Sequence, residues 1–419
     1  MKWFFLISAK FVWNDVELRI FTSTRHQFIE GFGGSVTDAA SINWRKLSDE
    51  TSYFGPKGLE YNLIRVPIGG SDFSEHPYTY NEEPWNDYAL TNFSLTAEDY
   101  FYKVPQSLYE IKFVASTWSP PVWMKTNERI TGFGQLKPEF FQSYADYHWL
   151  PPLMDVDNVK IWAITTTNEP LNGIVPAVQF NSLGWTPAML YLGPTIRGSR
   201  FNQTLILGVD DQRYIIPTWM REDPKSIEYL DGIAIHYYGN FFPASILSRM
   251  HRQYPGKILL STEACEGPMP WDRLKVEIGS WRRARRYDLN NFVVGWIDWN
   301  LCLDPDGGPN WANNFVDSPI LVFGDKDEFV KQPMFYAMGH FSKFIPRGSR
   351  VLRVSRISTI SLENVAVIKQ NGNLVMVLQN SIVATLLLME SKRGAQIILP
   401  ADMNRCIYIT YSCLNISDK

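Results

Sequence analysis

The sequence predicts an α/β chain: a (β/α)8 TIM barrel with an all-β sandwich domain built from the C-terminal segment and part of the N-terminus. Three observations predict it. Eight short apolar segments recur up to residue 300, most of them continuous runs, the pattern of parallel strands buried on both faces. Helix-like stretches lie between several of them, and strands alternating with helices close into a barrel. After about residue 344 the texture turns to apolar–polar alternation, the mark of antiparallel strands with one wet face. At 419 residues the chain has room for one barrel and a smaller domain.

Taken in order, residues 1–9 carry one positive charge and a short apolar stretch, like the start of a signal peptide, with Lys10 following at once. Residues 12–21 alternate and are expected to add a strand to the sandwich. The small domain then takes 1–27 and 345–419, and the barrel takes 28–344. Barrel strands are placed at 28–34, 61–67, 111–118, 159–167, 204–210, 232–238, 257–263 and 293–300. Within the first, Gly31-Phe32-Gly33-Gly34 lacks the Lys-Ser/Thr of a phosphate loop and is read as a tight strand-to-loop bend. Helices are expected at 39–48, 138–150, 243–254 and 271–287.

Several connections look too short for a barrel helix. Only 105–110 precedes the third strand, Pro151-Pro152 must end the helix before the fourth, Gly193-Pro194 interrupts 186–199, and 288–291 leaves little room before the eighth. Such losses are expected to expose apolar strand faces. Beyond the barrel, residues 351–411 alternate, with turn signals at Asn371-Gly372-Asn373 and Lys392-Arg393-Gly394.

Composition narrows the function. A net charge of −3 and the lack of a basic stripe argue against a nucleic-acid partner. Arg282-Arg283-Ala284-Arg285-Arg286 is either a solvated helix face or a contact with anionic lipid headgroups. No stretch of 18 apolar residues is present, so no membrane span is expected. No metal or cofactor is expected either, because no metal-ligand spacing and no G-x-G-x-x-G occurs. The four cysteines are too scattered for a disulfide framework, although Cys406 and Cys413 could pair. Sequons at Asn92, Asn202 and Asn415 lean towards a secreted or lysosomal route. Aromatic content is 14%, with 15 Trp, which suits either core packing or sugar recognition through ring faces.

Two glutamates point to chemistry. Glu169 follows the apolar run 161–164 in Asn168-Glu169-Pro170, and Glu263 ends the run 258–260. Carboxylates at the C-terminal ends of two barrel strands face one cleft. That pair is the equipment of a glycosidase, with Glu169 donating a proton and Glu263 attacking the sugar. Asn168 could bond the sugar 2-hydroxyl. Arg65 or the phenols of Tyr237-Tyr238 could hold Glu263 ionised, though Arg65 could equally sit in a structural salt bridge. His236 could orient a carboxylate or be a satisfied core histidine. Asp72 could bind sugar hydroxyls, and Trp118, Trp299 and Phe180 end or follow strands on the same face, Trp299 as a sugar platform. A β-glycosidase of this fold with another glycan as substrate stays open, as does an inactive glycosidase-like protein.

The chain resembles the lysosomal acid β-glucosidases, or glucosylceramidases, of glycoside hydrolase family 30. The resemblance runs from about residue 20 to 411. Its most specific strings are Gly307-Gly308-Pro309-Asn310-Trp311, residues 314–320 from Asn314 to Ile320, and Lys331-Gln332-Pro333-Met334-Phe335-Tyr336. Asp210-Asp211-Gln212-Arg213, Trp123-Met124-Lys125 and Glu263-Ala264-Cys265 also match. The resemblance implies Glu169 as acid/base and Glu263 as nucleophile. It implies glucose contacts at Asp72, Trp118, Asn168, Trp299 and Asn314, aromatics at Phe180 and Tyr238, and Arg65 behind them. It further implies hydrolysis of glucosylceramide to glucose and ceramide with retention, in an acidic lysosome. A saposin-type activator and an anionic lipid membrane surface would be its partners.

Overall fold

The computed structural model describes residues 15–47, 53–85, 87–103, 110–149, 161–184, 189–222, 224–265, 288–357, 363–379, 384–390, 393–399 and 406–411. The signal-like start, the basic cluster 282–286, the helix expected at 271–287, the connections 105–109 and Pro151-Pro152, Cys413 and Asn415 lie outside these residues. The chain divides into two compact units, 1–29 with 344–419, and 30–343.

In the first unit, strand β1 (Asp15–Phe28) runs well past the alternating segment expected at 12–21. The second unit holds the barrel strands. These are β2 (Gly31–Ser35), β3 (Leu63–Ile68), β4 (Lys112–Thr117), β5 (Ile161–Thr165), β6 (Leu205–Gln212), β7 (Gly232–His236), β8 (Ile258–Glu263) and β9 (Val293–Asn300). They pair in parallel, each with the next, and β9 returns to β2, which closes the barrel. Leu63, Val114, Ala163, Leu207, Ala234, Leu260, Val294 and Ile297, from the seven strands after β2, pack as one buried cluster. Continuous apolar runs are what such strands need, since one face meets this filling and the other meets helices.

β2 contributes glycines instead. Gly31-Phe32-Gly33-Gly34 forms the strand itself, not a bend after it. A Cβ on Gly33 would stand 1.6 Å from the Leu63 carbonyl oxygen, so only glycine lets β2 approach β3 this closely.

Every position of β3, β7 and β9 is buried, whereas Trp162 of β5, Leu205 of β6 and Ile258 of β8 are only partly so. Helices Phe141–Trp149, Met189–Arg197 and Ser245–Gln253 are present among the described residues. Gly193-Pro194 does not interrupt its helix, which runs through Pro194. There the glycine has a packing reason, because a Cβ on Gly193 would meet the Tyr229 ring at 2.3 Å. Before β9 the short turn is pinned by Asp288, which accepts from buried Arg213 at 2.7 Å.

A further sheet follows the barrel strands in the same unit: β10 (Cys302–Leu303), β11 (Ile320–Phe323) and β12 (Glu328–Lys331). Hydrophobic periodicity gave no sign of it, since its strands have only two to four residues. In the first unit, β1 lies inside a seven-stranded sheet with β13 (Arg350–Ile357), β14 (Glu363–Ile368), β15 (Leu374–Gln379), β16 (Ala384–Glu390), β17 (Arg393–Leu399) and β18 (Cys406–Tyr411). All its pairings are antiparallel except β1 with β16.

Candidate active site

The C-terminal ends of the barrel strands converge on a cavity of about 640 Å³. Asp72, Trp118, Asn168, Glu169, Phe180, Tyr238, Glu263, Trp299 and Asn314 all line it. Arg65 and His236 lie behind this wall, both fully buried.

Glu263 is the last residue of β8. Its Oε2 accepts from Arg65 Nη1 at 2.5 Å and its Oε1 from the Tyr238 hydroxyl at 2.8 Å. Burial raises its carboxyl above the ordinary range. His236, Arg65 and the Tyr238 bond work against that rise, and the charge of Glu169 adds to it.

Glu169 sits just past β5 with φ of 41°, a left-handed conformation that costs a glutamate of the order of 1–3 kcal/mol. Its N–H donates to the Asp210 carbonyl at 2.9 Å, which locks the turn to β6. Its Oε1 accepts from Gln212 Nε2 at 2.9 Å and its Oε2 from Asn172 Nδ2 at 2.5 Å.

His236 bridges the two halves of the site. Its Nδ1 lies 2.9 Å from Glu169 Oε1 and 3.7 Å from Glu263 Oε1, and its Nε2 lies 3.1 Å from Asp210 Oδ1. Burial disfavours its charge, but Glu263 and Asp210 outweigh that and push the ring up to about 10. The imidazolium then donates through both nitrogens. Asp210 also accepts from Arg65 Nη2 at 2.8 Å, Ser116 at 2.8 Å and Thr262 at 2.6 Å. Burial opposes its ionisation, yet Arg65 and His236 hold it far below the usual carboxylate range. Arg65 is therefore both of the things its sequence position allowed, a partner of Glu263 and a member of a buried salt bridge with Asp210. It also donates to Asn168 Oδ1 at 2.7 Å and stands 4.7 Å over the Trp118 ring.

Part of the cavity lining is aromatic. Trp118 and Trp299 stack at 5.1 Å, with Phe180 packed against their cluster. Asp72 accepts from Asn314 Nδ2 at 2.8 Å; burial pushes its carboxyl up to about 7 although that bond pulls the other way.

Sequence reasoning gave no role to Asp210, Asp211, Gln212, Asn172 or Cys265, all of which belong to this site. The signal was available for three of them: Asp210-Asp211-Gln212 ends a buried strand, as Glu263 does. Asp211 lines the cavity, and burial followed by the charge of Glu169 raises it to about 7. Cys265 is a free thiol 3.2 Å from the Tyr238 hydroxyl.

Ligand atoms of Glu169, His236 and Glu263 lie within 4.8 Å of one another, a spacing that could suit a metal ion. The donor chemistry argues against one. The His236 ring holds its protons between two carboxylates, and Glu263 already faces the guanidinium of Arg65. The site thus supplies its own cations, and Glu169 and Glu263 both line the cavity. One carboxyl can give a proton while the other attacks carbon.

Residues 29–345 match the family model described as the glycosyl hydrolase family 30 TIM-barrel domain. The chain is 41% identical over 393 residues to lysosomal acid glucosylceramidase of Mus musculus, covering 85% of this chain and 75% of that protein. It is 38% identical over 420 residues to putative glucosylceramidase 3 of Caenorhabditis elegans, covering 92% and 80%. Among solved structures, SrfJ from Salmonella typhimurium aligns with a TM-score of 0.83 at 24% identity, covering 94% of this chain and 92% of that one.

Proposed function

The chain belongs to glycosyl hydrolase family 30 and is a glycoside hydrolase, and from that premise we propose that it hydrolyses glucosylceramide to glucose and ceramide with retention of configuration. Glu169 is the acid/base and Glu263 the nucleophile in this reading. One observation carries it: a carboxylate oxygen of each lies within 4.8 Å of the other across the cavity. Retaining enzymes hold their carboxyls ~5–5.5 Å apart, whereas inverting ones leave ~6.5–9.5 Å for a water.

The geometry gives each step a donor and an acceptor. Glucose packs against Trp299 and Trp118, with its hydroxyls bonded to Asp72, Asn314 and the free amide side of Asn168. Glu169 passes its proton to the glycosidic oxygen while a Glu263 oxygen attacks the anomeric carbon, and ceramide leaves as the alcohol. Arg65 and Tyr238 hold Glu263 in line for that attack. The deprotonated Glu169 then takes a proton from water, which attacks the same carbon and frees Glu263. Two inversions retain the configuration. Protonated His236 offsets the two glutamates without acting on substrate.

A lysosomal or secreted route belongs to the same proposal, supported by the lysosomal relative and by the exposed sequon residues Asn92 and Asn202. No helix among the described residues is long and apolar enough to cross a membrane. Ceramide is reached from a bilayer, so an anionic lipid surface and a saposin-type activator complete the reading. The test is hydrolysis of glucosylceramide in anionic mixed micelles at about pH 5, with the released anomer read by NMR. β-Glucose as first product, and no turnover by a folded Glu263→Gln variant, are expected. Turnover by that variant at the normal rate removes the nucleophile, and a folded wild-type protein without turnover removes the activity.

A further inference from the structure

We propose that Asn172 and Gln212 form an amide clamp on the Glu169 carboxyl and are positioning residues for its proton transfer. This rests on Glu169 being the acid/base. Each carboxyl oxygen meets one side-chain amide: Oε2 accepts from Asn172 Nδ2 at 2.5 Å and Oε1 from Gln212 Nε2 at 2.9 Å. Both residues line the cavity.

The backbone explains why a clamp is needed. Glu169, Val209 and Asp210 all hold positive φ (41°, 75° and 47°), so the acid stands on a strained turn against a strained strand end. The main chain there is pinned by Glu169 N–H to the Asp210 carbonyl and by Leu171 N–H to Asp211 Oδ2, each at 2.9 Å. Asn172 N–H closes the turn on the Glu169 carbonyl at 2.8 Å, which folds the Asn172 amide back over the carboxyl. These bonds fix the backbone, and the carboxyl of Glu169 is held by the two amides together with His236 Nδ1, which meets Oε1 at 2.9 Å.

The two arms differ in freedom. Gln212 Oε1 accepts from Gly239 N–H at 2.6 Å, so its amide cannot turn over without breaking that bond. Gly239 follows Tyr238, whose hydroxyl donates to Glu263. Gln212 therefore remains a donor to Oε1 and ties the acid to the loop that orients the nucleophile. Asn172 can turn to offer its oxygen to a protonated Oε2. The geometry thus puts the transferable proton on Oε2. That proton moves to the glycosidic oxygen as the C–O bond breaks and the bond from Glu263 to the anomeric carbon forms.

The test compares kcat/KM for two β-glucosides, one with a 2,4-dinitrophenyl leaving group and one with an alkyl leaving group. The first departs without a proton and the second requires one. Asn172→Ala and Gln212→Met should lower kcat/KM on the alkyl glucoside about 10–100-fold, the loss expected for a hydrogen bond to a charged group. The fall should lie in kcat rather than KM, and the dinitrophenyl glucoside should lose far less. Glu169→Gln is the control, expected to lose ~10²–10⁴-fold on the alkyl glucoside alone. A merely structural role would depress both substrates together. Equal losses on both, or none, in a folded Asn172→Ala protein overturn the clamp while Glu169→Gln stays selective. An unselective Glu169→Gln would remove the acid assignment itself. Asn172→Ala alone decides if Gln212→Met does not fold.

Discussion

Replacing Arg65 by Met tests how far the site depends on one buried cation. The guanidinium contacts Glu263 at 2.5 Å, Asn168 at 2.7 Å, Asp210 at 2.8 Å and Ser116 at 3.2 Å, with no exposure to solvent. A surface pair of this geometry would be worth ~0–1 kcal/mol. Here the loss should reach about 3–5 kcal/mol, because Asp210 is left ionised and buried with only His236 as countercharge. Asp210→Asn in the same chain removes that orphan charge. The double variant should then lose less than the sum of the two single losses, by about 0.5–3 kcal/mol. Urea unfolding followed by tryptophan fluorescence at pH 5 measures all four proteins. Activity supplies a second readout. Without Arg65, burial acts on Glu263 with less opposition, so its carboxyl rises and the acid limb of kcat/KM moves to higher pH. Additive losses, or a single-variant cost under about 1 kcal/mol, would refute the reasoning.

Gly33→Ala should give no soluble barrel, because its Cβ would sit 1.6 Å from the Leu63 carbonyl oxygen; soluble expression with wild-type circular dichroism would contradict this. Asn314→Ala removes the bond to Asp72 Oδ2. It should raise KM for a β-glucoside roughly 10-fold with a smaller change in kcat, and steady-state kinetics with unchanged KM would count against Asn314 as a sugar-site residue. Thermal stability should fall from pH 4.5 to 7. Asp72 and Asp211 keep their protons up to about 7 in the folded state but release them near 3.8 when unfolded, so their contribution is complete below 3.8 and is lost as pH rises through 7. His236 extends the same sign from 6.5 to about 10. His26, lowered by burial and by Arg353 and Arg350, opposes the trend below 6.5, and Lys125, lowered by burial to about 7, opposes it above 7. A melting temperature that rises from pH 4.5 to 7 would break this argument.

The barrel was legible because its signal is local. A strand buried on both faces is mostly apolar, and most of the eight runs show that pattern within a few neighbouring residues. Glu169 and Glu263 stood out for the same reason, as charges at the ends of runs that otherwise exclude charge. The glycines of β2 were misread as a bend, since their role is the approach of Leu63, 30 residues away in the chain. The helix through Pro194 was misread because the local breaker signal does not decide it: the helix runs on through Pro194, and Gly193 leaves room there for the Tyr229 ring. The sheet of β10, β11 and β12 left no periodic trace in strands so short.

What the sequence determined by itself was the fold class, the two carboxylates and the aromatic character of the site. Only the tertiary structure decided who holds them. Arg65 reaches Asp210 across 145 positions and Glu263 across 198, and His236 meets Glu169 across 67. Such pairings follow from barrel closure, which brings the ends of β3, β5, β6, β7 and β8 to one rim. The electrostatics follow in turn: whether a histidine carries charge, or an aspartate keeps its proton at pH 6, depends on which charges share its buried space. No pattern along the chain states that.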